Sequence, residues 1–132
     1  MGIRCLIVDD SAAFCAVAER VLTSQGICVV GVARDSAQAI TDVEVLQPDV
    51  VLVDVYLGSE SGFALARRIH ALARAANRSV DVILISTHAE EDLLDLVRDS
   101  PARAFLDKGE LSARTIRTVL DGNATPRRPN AN

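Results

Sequence analysis

Short aliphatic runs alternate along this chain with segments whose apolar positions recur every three or four residues. Ile3 to Val8 is an aliphatic run closed by the acidic pair Asp9-Asp10. Phe14, Val17, Ala18, Val21 and Leu22 follow at spacings of three and four, which predicts a helix with one buried face, closed at Gly26. Ile27 to Ala33 reads as a second strand, and Ala37, Ile40, Val43 and Leu46 as the stripe of a second helix stopped by Pro48. Val50 to Val53 is a continuous aliphatic run ending at Asp54, the pattern of a strand buried on both faces in a parallel sheet. Tyr56 to Glu60 reads as a loop, Ser61 as an N-cap, and Leu65, Ile69, Leu72 and Ala76 as the stripe of a third helix.

Val82 to Ile85 predicts a fourth strand ending at Ser86-Thr87. A short helix is expected from about Glu90 to Asp99 with Leu93, Leu94 and Val97 inward. Arg103 to Leu106 is the fifth strand, and the last helix is expected to begin near Glu110, turn Ala113, Ile116, Val119 and Leu120 inward and end at Gly122. Five such β/α units predict an α/β fold, a doubly wound five-stranded parallel sheet with five helices, in an open sheet rather than a barrel. The domain is expected over residues 1–122, with 123–132, rich in Pro and Asn and without hydrophobic period, as a disordered tail or the start of a linker.

Composition narrows this picture. At 132 residues and 49% apolar content the chain makes one core. No apolar run approaches the roughly 20 residues of a membrane span, and the start lacks the features of a signal peptide, so a cytoplasmic protein is expected. A net charge of −4 with interspersed signs argues against direct nucleic-acid binding, and Arg127-Arg128 reads as part of a solvated tail. Cys5, Cys15 and Cys28 have no metal-ligand or CxxC spacing and read as small core residues.

The candidate chemistry lies at the strand ends. In an open α/β sheet ligands bind outside the carboxyl ends of the strands, at the switch point in strand order. There this chain places Asp9-Asp10, Asp54, Ser86-Thr87 and Asp107-Lys108. Taken singly, these residues are caps, turn formers or solvated loop positions; it is their joint arrival on one rim that points to a reaction. Three clustered carboxylates repel, and a hard divalent cation, Mg²⁺ above all, relieves the conflict while keeping room for phosphate oxygens. One carboxylate can then act as nucleophile toward phosphorus, with Lys108 supplying positive charge and Ser86 a hydrogen-bond donor.

From Ile3 to about Gly122, and in the segments LIVDDS, VVLVDVYLGSESG, VILIST and AFLDKGEL, the chain resembles the receiver domain of bacterial two-component response regulators, which have a flavodoxin-like fold. The resemblance implies that Asp9 and Asp10 bind Mg²⁺ (or Mn²⁺) and that Asp54 is the phospho-acceptor and a further metal ligand. It also implies Tyr56 as the ligand through its main-chain carbonyl, Ser86 as the switch hydroxyl, Lys108 as the phosphoryl-binding lysine and Phe105 as the switch aromatic. Thr87 stands where the family often has a small residue, so it is a second candidate for the phosphoryl contact, although spacing favours Ser86. Tyr56 and His88 occupy the two positions that tune hydrolysis. Gly109 replaces the frequent proline after the lysine.

The implied cycle takes the phosphoryl group from a histidine kinase or phosphotransfer protein. It then switches the surface from the fourth helix through the fifth strand to the last helix toward an output domain or protein, or toward a phosphorylation-dependent homodimer. No membrane partner is expected, and no enzymatic turnover beyond slow self-dephosphorylation. Two other classes compete: a haloacid-dehalogenase-type phosphotransferase, which needs a second acid where Tyr56 stands, and a pseudo-receiver, which usually lacks the acidic pair or the lysine. Either a stand-alone receiver or a fragment cut at its linker accounts for the length.

Overall fold

The elements follow in the order β1 (Arg4–Val8), α1 (Ala12–Ser24), β2 (Cys28–Ala33), α2 (Ser36–Leu46), β3 (Val50–Asp54), the two-residue strands β4 (Tyr56–Leu57) and β5 (Glu60–Ser61), α3 (Gly62–Ala75), β6 (Asp81–Ser86), α4 (Glu91–Arg98), β7 (Ala104–Asp107) and α5 (Ala113–Leu120). This computed structural model describes residues 2–87 and 91–122. β2, β1, β3, β6 and β7, in that spatial order, pair in parallel as one sheet. The expected doubly wound architecture is therefore present, and the order reverses between β1 and β3.

Alternation along the strands divides the core into two layers, because successive side chains point to opposite faces. Leu6, Val8, Val51, Val53 and Leu84 pack with Ala39 and Val43 of α2, Leu65, Ala66 and Ile69 of α3, and Val97 of α4. Cys5, Ile7, Leu52, Ile83, Ile85 and Leu106 pack with Cys15, Ala18 and Leu22 of α1 and Ala113, Ile116 and Val119 of α5. Helix starts are fixed by side chains that accept otherwise orphaned N–H groups: Ser11 from Phe14, Asp35 from Gln38, Ser61 from Phe63 and Ala64, and Ser112 from Thr115. Among the described residues, no helix is long and apolar enough to cross a membrane.

Several expectations on helix faces need correction. Val17, Val21, Ala37 and Ala76 are exposed, whereas Cys15, Ala39, Ala66 and Ala73 are buried. In α2 a strict step of three drifts round the helix and carries Ala37 off the buried face, while in α1 and α3 the small residues Cys15, Ala66 and Ala73 take buried positions. Cys28 is exposed rather than core, since it opens the edge strand β2. The segment read as a loop after Asp54 closes into the antiparallel pair β4–β5, Tyr56 opposite Ser61 and Leu57 opposite Glu60. The last helix starts at Ala113, after a 3₁₀ turn over Lys108–Glu110, because the Ser112–Thr115 capping box sets its first turn. Leu93, Leu94 and residues 123–132 lie outside what the structure describes at side-chain level.

One contact fixes how α3 meets the sheet. A Cβ added to Gly62 would lie 2.1 Å from the Asp54 carbonyl oxygen, and the Gly62 N–H donates to the Val55 carbonyl at 2.9 Å. Only glycine lets α3 begin against the end of β3. Gly62→Ala is expected to lower unfolding free energy by about 3 kcal/mol through overpacking, as measured by urea denaturation; an unchanged midpoint would mean that the backbone here yields freely.

Candidate functional site

The carboxyl ends of β1 and β3 lie side by side at the reversal of strand order. Val8 stands opposite Val53, so the next residues, Asp9 and Asp54, emerge together. The Asp9 N–H donates to the Ala33 carbonyl at 3.0 Å, prolonging the β1–β2 ladder by one residue. Burial is nearly complete for both acids, at 0% exposure for Asp9 and 7% for Asp54. Asp10 is exposed, yet one carboxylate oxygen from each of the three acids falls within 4.8 Å of the others.

Lys108, the residue after β7, reaches into this cluster. Its Nζ lies 2.6 Å from Asp9 Oδ2 and 3.3 Å from Asp54 Oδ2. The same ammonium sits 4.3 Å from the centre of the Phe14 ring, a cation–π contact one helical turn into α1. The other oxygens are held by main-chain donors: Ser11 N–H to Asp9 Oδ1 at 2.9 Å, and Tyr56 N–H to Asp54 Oδ1 at 3.1 Å. Asp9 Oδ2, fully buried, is held by the Lys108 ammonium.

The electrostatics follow from these contacts. Burial raises the pKa of Asp54; the Tyr56 N–H opposes the shift, the Asp9 charge adds to it, and Lys108 opposes it. For Lys108 burial alone would lower the pKa, but Asp9 and Asp54 outweigh it and raise the value, so the lysine stays charged. Burial pushes the Cys5 thiol up to about 12, which removes it as a nucleophile. Three acids face one ammonium, and the donor set is all oxygen. These are the features a hard divalent cation requires, and the residues present fit Mg²⁺.

The remaining sequence candidates lie around this centre. Ser86, buried, ends β6 one residue beyond Ile85, which pairs with Asp54; Thr87 follows and is exposed. Phe105 is buried on β7 opposite Leu84, in the core layer shared with α2, α3 and α4. Tyr56 is 52% exposed. His88 lies outside the described residues. Sequence reasoning missed the roles of Phe14 and Gly62. A signal existed for each: an aromatic one turn after the acidic pair, and a glycine at the start of an amphipathic helix, where its low propensity calls for a steric reason.

Residues 5–121 match the model of the response regulator receiver domain. The chain is 39% identical over 93 residues, 70% of its length, to a protein-glutamate methylesterase/protein-glutamine glutaminase of Myxococcus xanthus, of which it spans 26%. It is 30% identical over 105 residues, 80% of its length, to the transcriptional regulatory protein PdtaR of Mycobacterium tuberculosis, of which it spans 49%. Thus it corresponds to half or less of these relatives. Among solved structures, the signal receiver domain of NarL from Mycobacterium tuberculosis superposes with a TM-score of 0.75 at 30% identity, covering 92% of this chain and 95% of that one.

The raised pKa of Asp54 has a sign that can be tested in metal-free solution. Below the unfolded-state value of about 3.9 the group is protonated in both states and contributes nothing. As pH rises toward the higher folded-state value, the unfolded chain loses its proton first and wild-type stability falls. Asp54→Asn is therefore expected to be more stable than wild type at pH 7 and indistinguishable from it near pH 3, by urea denaturation across pH. A variant less stable at pH 7 would contradict the assignment.

Proposed function

The chain belongs to the response regulator receiver domain family, and on that premise we propose that Asp54 accepts a phosphoryl group from a histidine kinase or phosphotransfer protein. The observation that carries the proposal is the convergence of Asp9, Asp10 and Asp54 on one point with Lys108 Nζ 3.3 Å from Asp54 Oδ2. In this reading the receiver unit is residues 1–122, and 123–132 form a tail or linker.

Each residue then has a task. Asp9, Asp10 and Asp54, with the main-chain carbonyl of Tyr56, hold Mg²⁺, which when bound neutralises charge on the phosphoryl oxygens. Two fixed partners, the Tyr56 N–H and Lys108, set the orientation of the Asp54 carboxylate, so that it meets phosphorus without first being reordered. As the bond from Asp54 to phosphorus forms, the bond to the donor nitrogen breaks and the donor keeps the electron pair. Lys108 pairs with the new oxygens, and Ser86 donates a hydrogen bond to one of them, with Thr87 as the neighbouring hydroxyl. Val17 and Val21, exposed on α1 beside Phe14, Lys108 and Leu111, offer an apolar surface where a donor can approach.

The consequence is a switch rather than turnover. Lys108 directly follows β7, and Phe105 lies three residues before it, on that strand. A change in what Lys108 pairs with therefore acts on the strand that carries the switch aromatic. We assign the resulting change to the α4–β7–α5 surface, where Leu96 is 50% exposed. That surface contacts an output domain or protein, or a second phosphorylated copy. Tyr56 and His88 regulate water access to the phosphoryl group. Such a cycle runs in the cytoplasm.

Incubation with Mg²⁺ and acetyl phosphate followed by intact mass is expected to yield one phosphate adduct. The adduct should be absent in Asp54→Asn and form at least tenfold more slowly in Asp9→Asn. No adduct in wild type would overturn the proposal in favour of a binding module, and sustained multiple turnover would favour an enzyme.

A further inference from the structure

The amino end of the sheet, opposite Asp54, carries a second concentration of charge that the phosphoryl chemistry does not use. His70 and Arg74 on α3, Arg78 and Ser79 in the following loop, Asp81 at the start of β6 and Arg103 just before β7 line a cavity of about 230 Å³. Three arginines from separate segments thus line the same cavity as a single acid, in a chain whose net charge is −4.

The single acid is already engaged. Asp81 Oδ1 pairs with Arg103 Nη1 at 3.2 Å, and Arg103 Nη2 donates to the Leu120 carbonyl at 3.2 Å, which locks Arg103 at the edge. Among the described residues neither Arg74 nor Arg78 forms an ion pair. Arg78 Nε is buried and has no hydrogen-bond partner, an arrangement that costs stability unless something supplies an acceptor. Compensation of the dipole at the end of α3 accounts for Arg74; it leaves a buried donor on Arg78 unexplained. Residues 123–132 contain two arginines and no acidic side chain, so they bring no carboxylate side chain to this place.

We infer that this cavity binds a small phosphate-bearing anion, gripped by Arg74 and Arg78 with Arg103 fixed at its edge. The guanidinium fork matches phosphate oxygens in bidentate fashion. The volume is below the roughly 300–1,000 Å³ of pockets that enclose drug-sized ligands, so the phosphate group is the recognised part and whatever it is attached to projects outward.

The test is a two-dimensional NMR titration with inorganic pyrophosphate at constant ionic strength, in chelator-treated, magnesium-free buffer that disfavours phosphate at the Asp54 end. Saturable shifts are expected for the amides of residues 74–81 and 103. Arg78→Met should weaken binding at least tenfold, as should Arg74→Met, whose exposed site leaves folding intact. Parallel titrations with inorganic phosphate and AMP distinguish the source: tighter AMP indicates a nucleotide, phosphate binding as tightly indicates the free anion. Shifts reproduced by chloride, shifts centred on Asp54 and Lys108, or affinities unchanged in both variants would overturn the inference.

Discussion

Two carboxylates buried at the ends of adjacent strands must be compensated, and in this protein one ammonium does so for both. Lys108 bridges Asp9 and Asp54 at 2.6 and 3.3 Å. An unpaired charge at that depth is costly. Because the lysine directly follows the edge strand β7, the bridge ties the end of β7 by charge to β1 and β3, with which it has no backbone pairing. Anything that changes the charge at Asp54 must therefore change what holds the end of β7. That coupling is the physical basis of the proposed switch.

The rest of the fold serves to keep those two acids in place. Aliphatic strands buried on both faces bring Val8 opposite Val53 and leave no slack in register. Ser11 and Tyr56 main-chain donors fix the second oxygen of each carboxylate. Gly62 lets α3 begin in contact with the Asp54 carbonyl, and Phe14 covers Lys108 from α1. The site thus draws on both core layers, and its geometry is a property of the sheet more than of its loops.

Much of this was legible in the sequence because strand ends are marked by abrupt changes of polarity. Aliphatic runs that stop at Asp9, Asp54, Ser86 and Asp107 place each residue on the same rim, and the parallel order follows from alternation with helices. What was not legible depended on three-dimensional contact. The expected faces of α1, α2 and α3 were right only in part, because Cys15, Ala39, Ala66 and Ala73 take buried positions and small residues give little hydrophobic signal. The β4–β5 pair and the 3₁₀ turn after Lys108 are too short for a period. The roles of Phe14 and Gly62 depend on which atoms they touch, which spacing alone does not reveal.

The central claim, that the three acids form a site for a divalent cation balanced against Lys108, is tested most directly by unfolding free energy as a function of MgCl₂ at constant ionic strength. Wild type should gain stability with the logarithm of concentration, about 2.7 kcal/mol at one hundred times the dissociation constant. The gain should be nearly abolished in Asp9→Asn. An equal gain in both proteins, or none in wild type, would contradict the account.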